Sequence, residues 1–226
     1  MNISPVTLRE GLTPLPKRMT SLPLDSRGYP VPWFVAWPNG KPDFRMIDHE
    51  KIERAIHYEL CWICGERLGQ HQTFVFGPSA GIQRLTLEPP SHHECATWAA
   101  QNCPFCANPS ARHRTHNMPY GGSKIDEHAI LHNPGVFLCW TTDQYFITSY
   151  LTRHVVLSVG EPTRVEWYRR GKLATPEEAL AALERTGEDL KALKDQGPPA
   201  LKEKIERLRE WLPKPEVDPD TPKAAP

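Results

Sequence analysis

Five of the six cysteines fall in two short stretches, CWICG from Cys61 and SHHECATWAAQNCPFC from Ser91. Thiolate and imidazole are ligands that a zinc ion prefers, placed tetrahedrally around it. Cys61 and Cys64 have the Cys-x2-Cys spacing of a tight knuckle, and Gly65 relieves the turn that follows. Ser91 follows two prolines and Glu94 stands three residues later, the pattern of a capping box. A helix starting there puts His92 in its first turn and Cys95 three residues on, along the same face. His93 is two residues from Cys95 and points elsewhere. The expected ligands of one Zn2+ are therefore Cys61, Cys64, His92 and Cys95. Two other readings stay open: a four-cysteine ribbon using Cys103 and Cys106, and a buried thiol cluster without metal. The two downstream pairs cannot serve one ion. At ~1.5 Å per helical residue, Cys103 lies about 16 Å along the axis from His92.

A second site is also written into the spacing. Cys103-x2-Cys106-x6-His113-x2-His116 is a compact ligand-like run, in a loop with little else to stabilise it. Catalytic readings fit less well. Zinc deaminases combine His-x-Glu with Pro-Cys-x-x-Cys. Here His92-His93-Glu94 and Cys103-Pro104-Phe105-Cys106 are joined by a single expected helix, and the proline follows the first cysteine. An HNH-like nuclease is the stronger enzyme alternative, since HNMPYGG and HAILHNPG set His and Asn beside glycines. Its Asp-His element, however, would be Asp48-His49, ahead of both cysteine pairs instead of between them. Glu94 could act as a base beside an open zinc, but four protein ligands close the site and leave Glu94 as a helix cap. His128 and His132, four apart, could meet on a helix face. Arg112, Arg114 and Lys124, with Tyr120 and no carboxylate between, form the best local patch for an anionic partner.

Elements must hold these residues. Residues 1–30 read as an extended, proline-punctuated arm. PWFVAW (32–37) and DFRMI (43–47) form a hairpin about Asn39-Gly40, and a helix capped by Asp48 delivers the chain to Cys61. TFVF (73–76) and RLTLE (84–88) are short strands joined by a Gly-rich loop, ahead of the ligand-bearing helix. Four further strands between 135 and 168 suggest a small antiparallel sheet. Thr175, Pro176 and Glu178 start a helix, Gly187 is a natural stop, and EDLKALKDQ (188–196) continues the pattern. A second helix spans 198–212, and 214–226 is a disordered tail. The expected organisation is an arm (1–30), a zinc-containing α+β domain (31–172), a helical hairpin packed on it (173–213), and the tail.

The order knuckle, β-hairpin, ligand-bearing helix over residues 61–103 resembles the treble-clef class of zinc folds. The blocks LPLDSRGYPVPWFVAWPNGKPDFR, CWICGERLG, HHECATWAAQNCPF and VEWYRRGKLATPEEAL, across most of 20–212, resemble a group of bacterial and phage or prophage proteins. That resemblance implies a bacterial or phage setting and carries no activity with it.

Composition sets bounds. The 226 residues hold 27 basic and 27 acidic groups, interleaved along the chain, which argues against nonspecific nucleic-acid binding. Proline, at 24 residues, is about twice its usual ~5%. No apolar run approaches the ~18 residues of a membrane span, and MNISPVTLREGL lacks the features of a secretion signal. A cytoplasmic protein of a bacterial host cell is expected, its Cys-x2-Cys pairs serving metal or redox chemistry. The leading expectation is a structural zinc in a non-enzymatic binding or adaptor protein, whose partner is protein or nucleic acid. The alternative is a metal-dependent nuclease or hydrolase.

Overall fold

The structure, a computed structural model, describes residues 6–111, 133–151, 154–192 and 198–214. The fold is mixed α+β. Strands β1 (Val35–Ala36) and β2 (Asp43–Ile47) pair antiparallel. The turn between them uses Asn39 (φ 54°) and Gly40 (φ 73°), left-handed values that this dipeptide accepts. Helix α1 (His49–His57) follows Asp48 as expected, burying Ile52 and Ala55. The Asp48 carboxylate reaches Lys51 Nζ at 3.3 Å, not the free N–H groups of the helix start.

The strands beyond are β3 (Gln72–Phe76), β4 (Leu85–Thr86), β5 (Phe137–Thr142), β6 (Tyr145–Leu151), β7 (His154–Val159), β8 (Arg164–Arg169) and β9 (Lys172–Leu173). They make two antiparallel sheets, ordered β3-β5-β8-β9 and β4-β7-β6. Two expectations are corrected here. The strands at 73–76 and 84–88 do not form a hairpin, because each pairs with a distant strand, β5 and β7 respectively. The four strands after 135 do not share one sheet.

The physical reason lies in β5. All its residues are buried, so it needs a partner on each edge and cover on each face. Strands β3 and β8 supply the edges. Cys139 packs with Ala96 and Ala100 of α3 (His93–Asn102) and Tyr168. Leu138 and Trp140, alternating with it, join the main core with residues of the C-terminal helices.

The Gly-rich segment expected to be a loop is instead α2 (Pro78–Gln83), with Gly77 before it and Pro78 in its first turn. Arg84, left-handed at φ 56°, ends it. A Cβ on Gly81 would lie 3.1 Å from Leu208, so α2 can approach the last helix closely.

Helix α4 (Pro176–Ala192) starts with the expected capping box: Thr175 N–H to Glu178 Oε2 at 3.1 Å, Glu178 N–H to Thr175 Oγ1 at 3.3 Å. It does not stop at Gly187 but runs on through the EDLKA segment to Ala192. A Cβ on Gly187 would sit 2.9 Å from Ile205 Cδ1 of α5 (Pro198–Arg209), so Gly187 is a point of close helix approach. The two helices contact each other and place Leu183, Leu190, Leu201 and Leu208 in the main core. Among the described residues no helix is long and apolar enough to cross a membrane.

Candidate metal centre

The knuckle is built by a backbone turn that points two thiols inward. Gly65 N–H donates to Cys61 O at 2.8 Å, and Cys61 N–H donates to Glu66 O at 2.7 Å. Gly65 has φ +77°, and a Cβ there would meet the Trp33 ring at 2.7 Å. Only glycine suits both demands. Trp33 N–H in turn donates to Ile63 O at 2.7 Å, which ties the hairpin segment to the knuckle.

The second half of the centre arrives on the chain entering α3. Ser91 does not cap this helix. Its N–H and C=O both pair with Thr73, at 2.8 and 2.9 Å, which holds Ser91 extended. His92 takes the N-cap position and the helix starts at His93, one residue later than the capping-box pattern implies. Glu94 is likewise not a cap. Its carboxylate faces outward to Arg18 Nε at 3.1 Å, and Arg18 also reaches Glu66 at 2.8 Å. The three-residue spacing still brings His92 and Cys95 to one side.

The ligand atoms of Cys61, Cys64, His92 and Cys95 all lie within 4.8 Å of one another, and all four residues are buried. His92 Nδ1 is 3.4 Å from Cys64 Sγ and 4.0 Å from Cys95 Sγ. Its other nitrogen, Nε2, is 2.9 Å from Arg67 O, so Nε2 carries the proton and Nδ1 is free to ligate. His93 turns away and pairs with Glu166 at 2.5 Å. The structure thus brings His92, and not His93, to the three cysteines.

The electrostatics suit a cation. Cys61 Sγ accepts N–H bonds from Cys64 and His92, both at 3.4 Å. Burial works against a Cys61 thiolate, yet the thiols of Cys64 and Cys95, the imidazole and the Cys64 N–H outweigh it and hold Cys61 well below its ordinary range. Hydrogen bonding to the Cys61 and Cys64 sulphurs pushes His92 up to about 10 against its burial. Cys95 moves the other way, raised first by the Cys61 sulphur and then by Cys64 and burial. A group that concentrates negative charge and draws protons inward is a group that could hold a metal ion instead.

The sequence missed what seals this site. The arm residue Met19 is buried with Cys61, Ile63, Cys64, Leu68, Cys95 and Trp98, and Leu12, Leu15 and Leu22 pack against them. Trp98 Nε1–H donates to Thr13 O at 3.0 Å, and Asn102 exchanges hydrogen bonds with Thr13 at 2.7 and 2.9 Å. Trp62, although inside the knuckle, enters the main core and stacks on Phe34 at 4.8 Å.

Cys103 caps the far end of α3, and the Cys103–Cys106 pair is not part of this centre. The other residues expected to take part in a second site or a partner surface, His113, His116, Arg112, Arg114, Tyr120, Lys124, His128 and His132, lie outside the described residues, as do 215–226 of the expected tail. Between the knuckle and the ligand-bearing helix, the hairpin expected of a treble clef is replaced by α2 and strands of two sheets. Comparisons with models of protein families, with curated proteins and with solved structures find no match.

Proposed function

We propose that this chain is a zinc protein whose ion is structural, and that it works as a non-enzymatic binding or adaptor protein in the cytoplasm of a bacterial or phage-infected cell. The observation that carries this is the closure of the site. Four buried protein donors meet within 4.8 Å, so a tetrahedral ion would have no position left for water or substrate. Three sulphurs and an imidazole favour zinc over hard cations such as magnesium or calcium. The nearest carboxylate in sequence, Glu94, is engaged with Arg18 at the surface and is not aimed at the centre. All six cysteines are free, as suits a reducing compartment. The ion would join the knuckle to the start of α3, and the arm packs over the joined pair.

X-ray absorption at the zinc edge tests this. Three sulphurs and one nitrogen, with no further light-atom ligand, are expected. An additional oxygen ligand, or cleavage of DNA by the metal-loaded protein, would favour the HNH-like nuclease or hydrolase instead.

A further inference from the structure

Cys103-Pro104-Phe105-Cys106 closes a turn like that of the metal knuckle. Ala107 N–H donates to Cys103 O at 2.8 Å, as Gly65 N–H does to Cys61 O. Its surroundings differ. Cys61, Cys64, Cys95 and Cys139 are fully buried, whereas Cys103 and Cys106 are only partly buried. The Cys-x2-Cys spacing sets both thiols on this one turn. Among the described residues no third metal-ligating group joins them in the way His92 and Cys95 join the first knuckle.

We propose that Cys103 and Cys106 form a thiol–disulfide exchange site for small disulfides, with Cys103 as the attacking sulphur and Cys106 as the resolving one.

The turn is fixed for this chemistry. Asn133 Nδ2 donates to Phe105 O at 2.6 Å and to Asn108 O at 3.1 Å, holding both sides of the loop. The Phe105 ring packs edge-on against Phe137 at 5.9 Å. Pro104 restricts the backbone between the cysteines. A bond between the sulphurs can then form with the frame already in place.

The two sulphurs are unequal. The Cys106 thiol and the N–H groups of Cys106 and Phe105 all donate to Cys103 and bring it down to about 6 despite burial. Cys106 is pushed well above its ordinary value, first by Cys103, then by burial, and further by the charge of Glu88. This matches an attacker that is ionised near neutral pH and a partner that stays protonated until the first has reacted.

The step balances. The Cys103 thiolate attacks one sulphur of a disulfide RSSR, forming a Cys103–S–S–R mixed disulfide and releasing RS⁻. Cys106 then loses its proton to solvent and attacks the Cys103 sulphur. The second RS⁻ leaves, and an internal Cys103–Cys106 disulfide remains. The protein dithiol is oxidised by two electrons and RSSR is reduced to two thiols.

The test uses the full chain in buffers stepped from reduced to oxidised glutathione, followed by alkylation and mapping of the tryptic peptide between Arg84 and Arg112. Cys103 and Cys106 are expected to lose alkylation together, with the mass loss of two hydrogens, while Cys95 stays alkylatable after denaturation. Cys106→Ser should trap glutathione on Cys103, and Cys103→Ser should leave Cys106 unmodified. Persistence of both thiols in fully oxidised glutathione would overturn the proposal. So would trapping on Cys106 instead of Cys103. Elemental analysis of the same wild-type sample supplies the remaining arm: zinc held by this pair, seen as a second ion per chain that Cys103→Ser/Cys106→Ser loses, would also overturn it.

Discussion

Replacing Gly65 with alanine probes the knuckle at the point where it meets the rest of the fold. Two penalties act together there. At φ +77° an L-residue pays about 1–2 kcal/mol for the left-handed conformation. The new Cβ would also fall 2.7 Å from two atoms of the Trp33 ring. The Trp33 backbone is held by its N–H bond to Ile63 O, and Lys51 and Arg54 lie over the ring face, at 5.6 Å each. Relieving such an overlap costs about 1–3 kcal/mol. Gly65→Ala should therefore lose about 2–5 kcal/mol in denaturant unfolding of the metal-loaded protein. Gly40→Ala is the internal control, because Gly40 has φ +73° but nothing within 4 Å of its absent Cβ. It should lose only the backbone term of about 1–2 kcal/mol. If the clash is relieved by moving the knuckle instead of Trp33, Cys64 moves with it, and zinc passes to a chelator sooner. Equal losses for the two variants, with unchanged zinc retention, would refute the packing argument.

Other outcomes follow from the same geometry. Gly187→Ala should change stability by less than about 1 kcal/mol, since the gain in helix propensity offsets a contact with the mobile tip of Ile205. Gly187→Val should lose about 1–3 kcal/mol in the same unfolding assay, because α4 and α5 can no longer close. Asn102→Ala leaves the Thr13 N–H without its acceptor beneath the arm, and should cost about 1–3 kcal/mol and speed proteolysis within the first thirty residues. Asp25 gives a pH signature. Burial alone would raise its carboxyl, but the Tyr29 N–H and the Arg27 side chain and N–H outweigh it and hold Asp25 below its ordinary 3.8. The stability it contributes is complete above that ordinary value and is lost as pH falls through the lower, folded value. The gap between wild type and Asp25→Asn in denaturant midpoint should thus be widest at neutral pH and close in acid. A gap independent of pH would remove Asp25 as its source.

Local features were legible in the sequence, and long-range ones were not. Cys61, Cys64, His92 and Cys95 could be found because ligand spacing is a local property, and three-residue spacing survives a one-residue error in where α3 starts. The Asn39-Gly40 hairpin and the Thr175–Glu178 box were equally local. The failures were decisions made elsewhere in the chain. Ser91 looked like a cap, but its backbone was taken by Thr73. β3 and β4 looked like a hairpin, but the fully buried β5 required β3 at its edge. Gly187 looked like a helix end because its role depends on Ile205, eighteen positions away and invisible to local pattern. The burial of Met19 beside the centre had no local signal, since an arm punctuated by prolines reads the same whether it wraps a site or hangs free.

The most direct test of the central claim is zinc per chain, measured by elemental analysis on protein purified without chelator or histidine tag. A structural zinc supplies about 10–16 kcal/mol to the fold it completes, so the loaded protein should retain it through purification. The account predicts one zinc per folded chain at the Cys61 centre, lost on Cys61→Ser/Cys64→Ser together with protection of the arm and α3 from proteolysis. A folded chain without metal, or a double variant that keeps its zinc, would contradict it.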